Sequence, residues 1–180
     1  HGVVAAGLFL MVGMIYERCH TRELAAYGGL ARILPIYSVF FGILTLAAIG
    51  LPTTSGFTGE FLALLGAFVA AWPLHQQGNS YSLIVSVSAV LGVVLGALYM
   101  LVFAQRFLFG AVKAPHQPFT DLSGREKAIL VAIVAAVFAL GLYPDEPMRK
   151  TEMAARQFQQ LVSEQRISVP VAAVTSRDER

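Results

Sequence analysis

The stretch from Leu44 to Phe68, LTLAAIGLPTTSGFTGEFLALLGAF, runs from one apolar segment through a break of glycine, proline and hydroxyl residues into a second apolar segment. It contains a single acid, Glu60, which is the only Asp, Glu, Lys or Arg between Ile33 and Gln105. Ionisable residues inside apolar membrane segments are rare and mark ion pathways or proton relays. The break and its acid are therefore the first candidates for a functional site.

The composition is that of a membrane protein. The chain has 180 residues, of which 56% are hydrophobic and 13% charged, whereas soluble domains carry about 25% charged residues. Transmembrane β-strands alternate apolar and polar residues, and runs such as Ala128 to Leu142 do not alternate. The sequence therefore predicts an all-α, polytopic transmembrane helix bundle.

Five segments approach the ~20 apolar residues that a helix needs to cross a bilayer. The first, about residues 2–16, is short, and we expect its beginning to lie upstream of this chain. Complete spans are predicted over 34–51, 55–74, 81–109 and 128–143, which gives a transmembrane bundle over residues 1–145. Residues 146–166 are predicted to form an amphipathic helix on the membrane surface, and residues 167–180 a disordered tail.

The charges exclude some functions and suggest a topology. The net charge of +2 is small and its basic residues lie in loops, so nucleic-acid binding is not expected. The single cysteine, Cys19, excludes an intrachain disulfide and a cysteine-bound metal cluster within this chain. With three spans counted between them, residues 17–32 and 105–127 should lie on opposite faces. The excess of Lys and Arg then places 105–127 in the cytoplasm and 17–32 and the tail outside.

Glu60 shares a helix face with small residues, which lets neighbouring helices approach closely. We therefore expect its side chain to point into the bundle. There it would act as a proton carrier, or alternatively as a protonated structural group held by a neighbouring hydroxyl or carbonyl. The preceding GLPTTSG segment leaves backbone groups to be paired, which suits either an ion site of the kind found in transporters or a simple turn between helices.

Other candidates carry weaker signals. His1 begins an apolar segment and is interpreted as a possible proton relay or as an ordinary packing residue. His20, His75 and His116 lie in polar loops with no metal-site spacing, so no metal is expected. Arg125 and Glu126 are interpreted as a solvated helix start, and Tyr99 and Met100 as residues that pack between helices.

Three blocks of the sequence together resemble a known family. They are HGVVAAGLFLMVGMIYERCHTRELAAYGGLA, LTLAAIGLPTTSGFTGEFLALLGAF and DLSGREKAILVAIVAAVFALGLYP. In order and spacing they are similar to the carboxy-terminal part of chain M, the subunit 4 type, of proton-pumping NADH:quinone oxidoreductase, respiratory complex I. The resemblance covers about residues 1–150.

The resemblance implies a partial antiporter-like fold with one discontinuous helix, matched by the segment that begins near Ser55. It places Glu60 on the membrane-embedded proton carrier of the family and His1 on a histidine of its polar axis. Thr53 stands where glycine is common. NADH, FMN, iron–sulfur clusters and quinone would be bound by partner subunits, with no cofactor in this chain.

The implied function is proton translocation in a bacterial inner membrane, driven by electron transfer in other subunits. The implied partners are the lipid bilayer and other membrane subunits of complex I, including neighbouring antiporter-like subunits. Two alternatives remain open. The chain could belong to a related cation/proton antiporter or membrane-bound hydrogenase, or it could be a structural membrane module without proton traffic.

Overall fold

The computed structural model of the protein describes residues 1–112 and 120–168, with side chains as far as residue 163. Within those residues the chain is helical and contains no strand. The prediction of an all-α fold is therefore confirmed. The predicted disordered tail lies outside the described residues except for its first two positions, Ile167 and Ser168, which belong to the last helix.

Seven α-helices and one short 3₁₀ helix, Leu24–Ala26, make up this part of the chain. The α-helices are α1 (Gly2–Cys19), α2 (Leu30–Ile33), α3 (Pro35–Ala48), α4 (Ser55–Gln76), α5 (Tyr81–Leu108), α6 (Gly124–Leu142) and α7 (Asp145–Ser168). The chain divides into two units, residues 1–142 and residues 143–180. Helices α1 to α6 form the first unit and α7 belongs to the second.

Three of these helices, α1, α4 and α5, are long and apolar enough to cross a membrane. A fourth crossing is reached if α6 and α7 are counted as one broken span. The expected complete span over 34–51 is wrong in its length, because α3 has only 14 residues. It is therefore about 21 Å long at ~1.5 Å per residue, shorter than the hydrocarbon core of ~30 Å.

The core of the first unit lies where α1, α3 and α6 meet. Met11, Leu44, Leu130 and Val137 are each 0% exposed there. Gly7 permits the close approach of the three helices, because a Cβ on it would lie 2.9 Å from Leu44 Cδ1 and 3.0 Å from Ile133 Cγ2. A larger residue would have to push these side chains apart.

A cluster of aromatic rings packs the carboxyl end of α5 against the amino half of α3. The Phe107 ring centroid lies 5.0 Å from that of Phe41 and 6.5 Å from that of Tyr37. Phe107 also meets Tyr27, in the segment before α2, at 5.2 Å. Beside it, the Gly29 N–H donates to the Phe109 carbonyl at 3.2 Å. The end of α5 and the start of α3 therefore lie at the same end of the bundle.

The start of α6 is bound to this end as well, through Arg18 in the last turn of α1. Arg18 forms two parallel hydrogen bonds with the Glu126 carboxylate, both at 2.9 Å. Its Nε also donates to the Thr120 carbonyl at 3.1 Å. Both side chains of the pair are largely buried, with 16% and 17% exposure. The interpretation of Glu126 as a solvated residue was wrong, whereas Arg125 beside it is exposed.

Asp121 caps the amino end of α3 from a distant part of the chain. Its Oδ2 accepts from the Ile36 N–H at 2.8 Å and its Oδ1 from the Tyr37 N–H at 3.2 Å. Pro35 occupies the first helical position, so Ile36 and Tyr37 carry the first N–H groups that need a partner. A carboxylate at a helix amino end is also favoured by the helix dipole.

These contacts correct the predicted topology. The described parts of the segments 17–32 and 105–127 meet at one end of the bundle, so the expectation that these segments lie on opposite faces was wrong. The error arose because 34–51, 55–74 and 81–109 were counted as three separate crossings, whereas α3 is too short to cross a membrane by itself. Helix α5, with 28 residues and a length of about 42 Å, returns from the opposite face, where α4 ends at Gln76.

The second unit is described by α7 alone. Its apolar residues include Phe158, Leu161 and Val162, which are exposed and fall on one face at helical spacing. Arg149 pairs with Glu146 at 2.8 Å, and Arg156 with Glu152 at 2.6 Å. The amphipathic helix predicted over 146–166 therefore runs from Asp145 to Ser168. Its location on the membrane surface stays a prediction.

We expect cysteine labelling to show that the two polar segments share one membrane face. In a full-length protein with Cys19→Ser, single cysteines at Glu23 and Arg125, both exposed, should react with a membrane-impermeant maleimide from the same side of a sealed vesicle. A cysteine at Gln77 should react from the other side. Labelling of positions 23 and 125 from opposite sides would contradict the broken crossing.

We expect Glu126→Gln to destabilise the bundle by about 1.5–3 kcal/mol, the usual value of hydrogen bonds to a charged group. Glu126 lies ahead of the apolar part of α6, and the hydrogen bonds from Arg18 hold its pKa at about 2, below the ordinary 4.5. A depressed pKa in the folded state stabilises the fold above pH 4.5, and this contribution is lost as the pH falls towards 2. Thermal unfolding of the purified protein should show this acid dependence in the wild type and not in Glu126→Gln.

Candidate functional site

The break between α3 and α4 begins at the carboxyl end of α3, where the residues that follow the helix pair with its last carbonyl groups. Gly50 adopts a left-handed conformation with φ of +80°, and its N–H donates to the Ala47 carbonyl at 3.2 Å. The Leu51 N–H reaches back to the Leu46 carbonyl at 3.1 Å. This pair of bonds is the Schellman motif, which satisfies the last carbonyl groups of a helix.

Thr54 begins the next helix and is almost fully buried, with 1% exposure. Its N–H and its hydroxyl both donate to the Leu51 carbonyl, at 3.1 and 2.7 Å. Its own carbonyl accepts from the Phe57 N–H at 3.2 Å. The break thus pairs these backbone groups within itself, as a turn between helices does.

Two glycines allow other backbone to lie directly against the break. A Cβ on Gly56 would come within 2.7 Å of the Ala47 carbonyl oxygen. A Cβ on Gly141, near the end of α6, would overlap the backbone of Thr53 and Thr54. Real Cβ atoms do not approach so closely, so these helices can only meet here through glycine.

Thr53 adopts a left-handed conformation at the centre of the break, with φ of +83°. That conformation is unusual for a β-branched residue, and glycine would adopt it without steric cost. The resemblance to the family had already indicated a glycine at this position. The chain therefore carries local backbone strain at Thr53, seven residues before Glu60.

Glu60 lies in α4 with its carboxylate against Gly50. The carboxylate occupies the space in which a Gly50 Cβ would stand, with Glu60 Cδ 3.3 Å from that point. Gly50 is therefore required both for its φ and for this contact. The rest of the small-residue face is more open than predicted, since Gly59, Glu60, Ala63 and Ala67 are exposed within this chain.

His1 and Glu60 line one cavity of about 540 Å³ at the break. The structure thus brings together the two site residues predicted from the sequence. The other lining residues come from α1, α3, α4 and α5: Val4, Ala5, Leu8, Ala47, Ala48, Ser55, Gly56, Gly59, Tyr99 and Met100.

Three of these lining residues were missed as members of the site. Tyr99 and Met100 were predicted only to pack between helices, and Ser55 was considered only as part of the break. A phenol and a hydroxyl in otherwise apolar segments were the available signal. Their assignment to the cavity depended on the packing of α5 beside the break, which the sequence pattern does not show.

The remaining histidines stand apart from this cavity. His20 and His75 are exposed, and His75 Nδ1 lies 3.0 Å from the Ser80 hydroxyl. His116 lies outside the described residues. Across residues 1–112 and 120–168, no group of three or more His, Cys, Asp or Glu side chains could hold a metal ion.

Comparison with known proteins shows which class of membrane protein this chain resembles. The family described as "NADH:quinone oxidoreductase/Mrp antiporter, TM" matches residues 1–77. A chain of respiratory complex I from Thermus thermophilus with bound NADH superposes with a TM-score of 0.73 and 36% identity. The match covers 89% of this chain and 31% of that one. This helical bundle, with its helix break and one acid in an apolar helix, thus has the fold of an antiporter-like subunit.

Relatives narrow the class further. The chain is 46% identical to NADH-quinone oxidoreductase subunit M of Rhodobacter capsulatus over 145 residues, which is 80% of this chain and 26% of that protein. It is 42% identical to NADH-ubiquinone oxidoreductase chain 4 of Marchantia polymorpha over 146 residues, 81% of this chain and 27% of the relative. The chain spans about a quarter of the length of these relatives, and it is a partial antiporter-like chain of the NADH:quinone oxidoreductase family.

We expect Gly141→Ala to destabilise the protein by about 1–3 kcal/mol, because the added methyl group forces α6 away from the backbone of the break. Gly66→Ala is the matched control, since a Cβ at Gly66 meets nothing within 4 Å. Thermal unfolding of both full-length variants provides the measurement. Equal stability of the two variants would show that α6 does not pack against the break as described.

Proposed function

We propose that this chain moves protons across the membrane, with Glu60 as the proton carrier and His1 as a relay. The observation that supports this function is the cavity beside the helix break, which His1 and Glu60 both line. Both groups can gain and release a proton, and the unperturbed pKa of histidine suits transfer near neutral pH. Ionisable residues in membrane segments have this role in pumps and transporters.

The cavity provides the means of transfer between the two groups. Its volume of about 540 Å³ is large enough for several water molecules, each of which takes up about 30 Å³ in the liquid. Water can bridge polar groups that do not touch. Glu60 would accept a proton through such a bridge and release it towards the opposite side of the break.

The corrected topology supports an orientation for this transport. The described residues of the face shared by 17–32 and 105–127 include six Lys and Arg residues: Arg18, Arg22, Arg32, Arg106, Arg125 and Lys127. The turn between α4 and α5 at the opposite face, residues 77–80, carries none. Short basic loops favour the cytoplasm, so we place the shared face there and the α4–α5 turn outside. Residues 105–127 would thus be cytoplasmic, as predicted, and residues 17–32 with them.

The wider role follows from the relatives. We propose that the chain works in the bacterial inner membrane as a translocase part of NADH:quinone oxidoreductase, beside other membrane subunits that include antiporter-like neighbours. NADH, FMN, iron–sulfur clusters and quinone would be bound in those partner subunits and not by this chain. Electron transfer there would drive proton movement here.

Two alternative functions would use the same cavity differently. A cation/proton antiporter or a membrane-bound hydrogenase subunit would share the fold with a different driving reaction, and the family description names Mrp antiporters as well. A structural module would keep Glu60 only as a packing group against Gly50.

We expect Glu60→Gln to abolish most proton uptake while the complex still assembles. The substitution keeps the size and hydrogen-bonding capacity of the side chain and removes its titration. NADH-driven proton uptake would be measured in vesicles that carry the full-length protein, normalised to assembled complex and to electron transfer with an artificial acceptor. Glu60→Asp, which keeps a titrating group, serves as the control and should retain part of the uptake.

Three outcomes distinguish the proposals. Full uptake by Glu60→Gln would reduce Glu60 to a packing group and support the structural module. Uptake that depends on added Na⁺ rather than on NADH would support the antiporter. Loss of uptake in Glu60→Gln with normal electron transfer to the artificial acceptor would support a proton carrier in the oxidoreductase.

A further inference from the structure

A groove of about 750 Å³ lies between α1 and the start of α6, and it shares no lining residue with the Glu60 cavity. Phe9, Gly13 and Glu17 line it from α1 and are spaced by four residues, so they fall on one face of that helix. Arg125 and Ile129, also four residues apart, line it from α6. Each helix thus contributes one charged residue at the membrane face and apolar surface further in.

Two of the charged residues that line the α1–α6 groove, Arg18 and Glu126, are already bound to each other. Arg18 donates two hydrogen bonds to the Glu126 carboxylate and three more to the carbonyl groups of Met14, Thr120 and Asp121. A guanidinium group has five N–H donors, so all of them are in use. This pair joins the two helices and has no donor left for a ligand.

The other two charged residues, Glu17 and Arg125, are exposed. Neither forms an ion pair with the other or with any residue in the described ranges. They stand on different helices and line the same groove. An acid and a guanidinium group that face one groove without meeting leave room for a ligand that carries both charges.

The deeper part of the α1–α6 groove is apolar and open. Phe9 is 78% exposed and Ile129 37% exposed, and a Cβ on Gly13 would meet no atom within 4 Å. Phe9 precedes Glu17 by eight residues, which is about 12 Å along the helix axis. Because α1 is long and apolar enough to cross a membrane, this part of the groove lies at the depth of the lipid acyl chains.

We propose that the α1–α6 groove binds one phospholipid with a zwitterionic, primary-amine headgroup, of the phosphatidylethanolamine type. The Arg125 guanidinium binds the phosphate, and the Glu17 carboxylate accepts hydrogen bonds from the ammonium group. An acyl chain lies along Phe9, Gly13 and Ile129. The site is separate from the proposed proton transport and does not depend on it.

The pairing of one free acid with one free base selects the headgroup. A choline headgroup carries three methyl groups on its nitrogen and cannot donate a hydrogen bond to Glu17. An anionic headgroup satisfies Arg125 and leaves Glu17 beside a negative charge. Clusters of basic residues recruit anionic lipids, and the α1–α6 groove, with as many acids as bases among its lining residues, is not such a cluster.

The site is tested by photo-crosslinking in the full-length protein within its assembled complex. The complex is placed in nanodiscs that contain equal amounts of phosphatidylethanolamine, phosphatidylcholine and phosphatidylglycerol. A photo-reactive amino acid in place of Ile129 captures the lipid in the groove. The same amino acid in place of Val131, which is 55% exposed and does not line the groove, gives the reference. Mass spectrometry of the adducts should show phosphatidylethanolamine enriched severalfold at position 129 over position 131.

Charge variants test the two headgroup contacts. Glu17→Gln and Arg125→Gln should each lower the enrichment at position 129 towards the reference value, because each removes one of the two charges. Glu23→Gln and Arg32→Gln remove the same charges from exposed residues at the same end of the bundle, outside the groove. They should leave the enrichment unchanged.

A space-filling variant tests the acyl contact. Gly13→Leu should fill the groove and prevent the capture of phosphatidylethanolamine at position 129. Gly92→Leu is the matched control, since a Cβ at Gly92 also meets nothing within 4 Å. Adducts are counted only on assembled complexes, and the charge variants decide the question if Gly13→Leu does not assemble.

Several results would overturn the proposal. They are enrichment of the choline or the anionic lipid at position 129, equal capture of all three lipids, no lipid adduct there, or full enrichment in both Glu17→Gln and Arg125→Gln. An electron cryomicroscopy map of the wild-type complex gives an independent answer. Lipid density between Glu17 and Arg125 supports the site, whereas a side chain of the full-length protein or of a neighbouring subunit in the groove contradicts it.

Discussion

Inside a bilayer every backbone N–H and C=O needs a partner other than lipid or bulk water, and the structure around Gly50 depends on that requirement. Helix α3 stops at Ala48, and its last carbonyl groups are paired by the N–H groups of Gly50 and Leu51. Thr54 then opens α4 by bonding back to Leu51. The chain can therefore break its helix within the membrane and keep the polar groups of the break satisfied.

The hydrogen bonds that close the break restrict which residues can stand around it. The motif needs a left-handed residue at position 50, and glycine there also leaves space for the Glu60 carboxylate. The backbone of Thr53 and Thr54 lies so close to α6 that only a glycine, Gly141, can stand at the point of contact. At the other end of the bundle, Arg18, Asp121 and Glu126 hold α1, α3 and α6 in register through charged hydrogen bonds. The acid, the cavity and the break are thus positioned by contacts at both ends of one short helix.

The sequence predicted the helical class, the break and the two site residues because each depends on a local signal. A long apolar composition, a run of helix-breaking residues and one acid in an apolar run can all be recognised without packing. The membrane sidedness could not be derived in this way. It depended on whether 34–51 and 55–74 were one crossing or two, and that was decided by contacts between residues far apart in the sequence, such as Arg18 with Thr120 and Tyr27 with Phe107.

Other errors had a similar origin. Ser123 and Glu126 fit the S-x-x-E pattern of a capping box, and the Ser123 N–H does donate to Glu126 at 2.6 Å, so the local role of Glu126 could have been recognised. Its partner Arg18 lies 108 residues away in the sequence, and no sequence pattern indicates that the two side chains are in contact. Likewise, no sequence pattern indicates the contact of Asp121 with the start of α3 or the place of Tyr99 in the cavity lining.

The closure of the break has a consequence for how a proton could move through it. Since the backbone groups of Leu46, Ala47 and Leu51 are already paired, their hydrogen bonds would have to be broken before they could serve a passing ion. Breaking them costs free energy in a setting where no other partner is at hand. A proton that passed this site, as proposed, would therefore be carried more readily by side chains and water than by the backbone. The Glu60 carboxylate takes no part in the bonds that close the helix ends, so it can change partners without disturbing them.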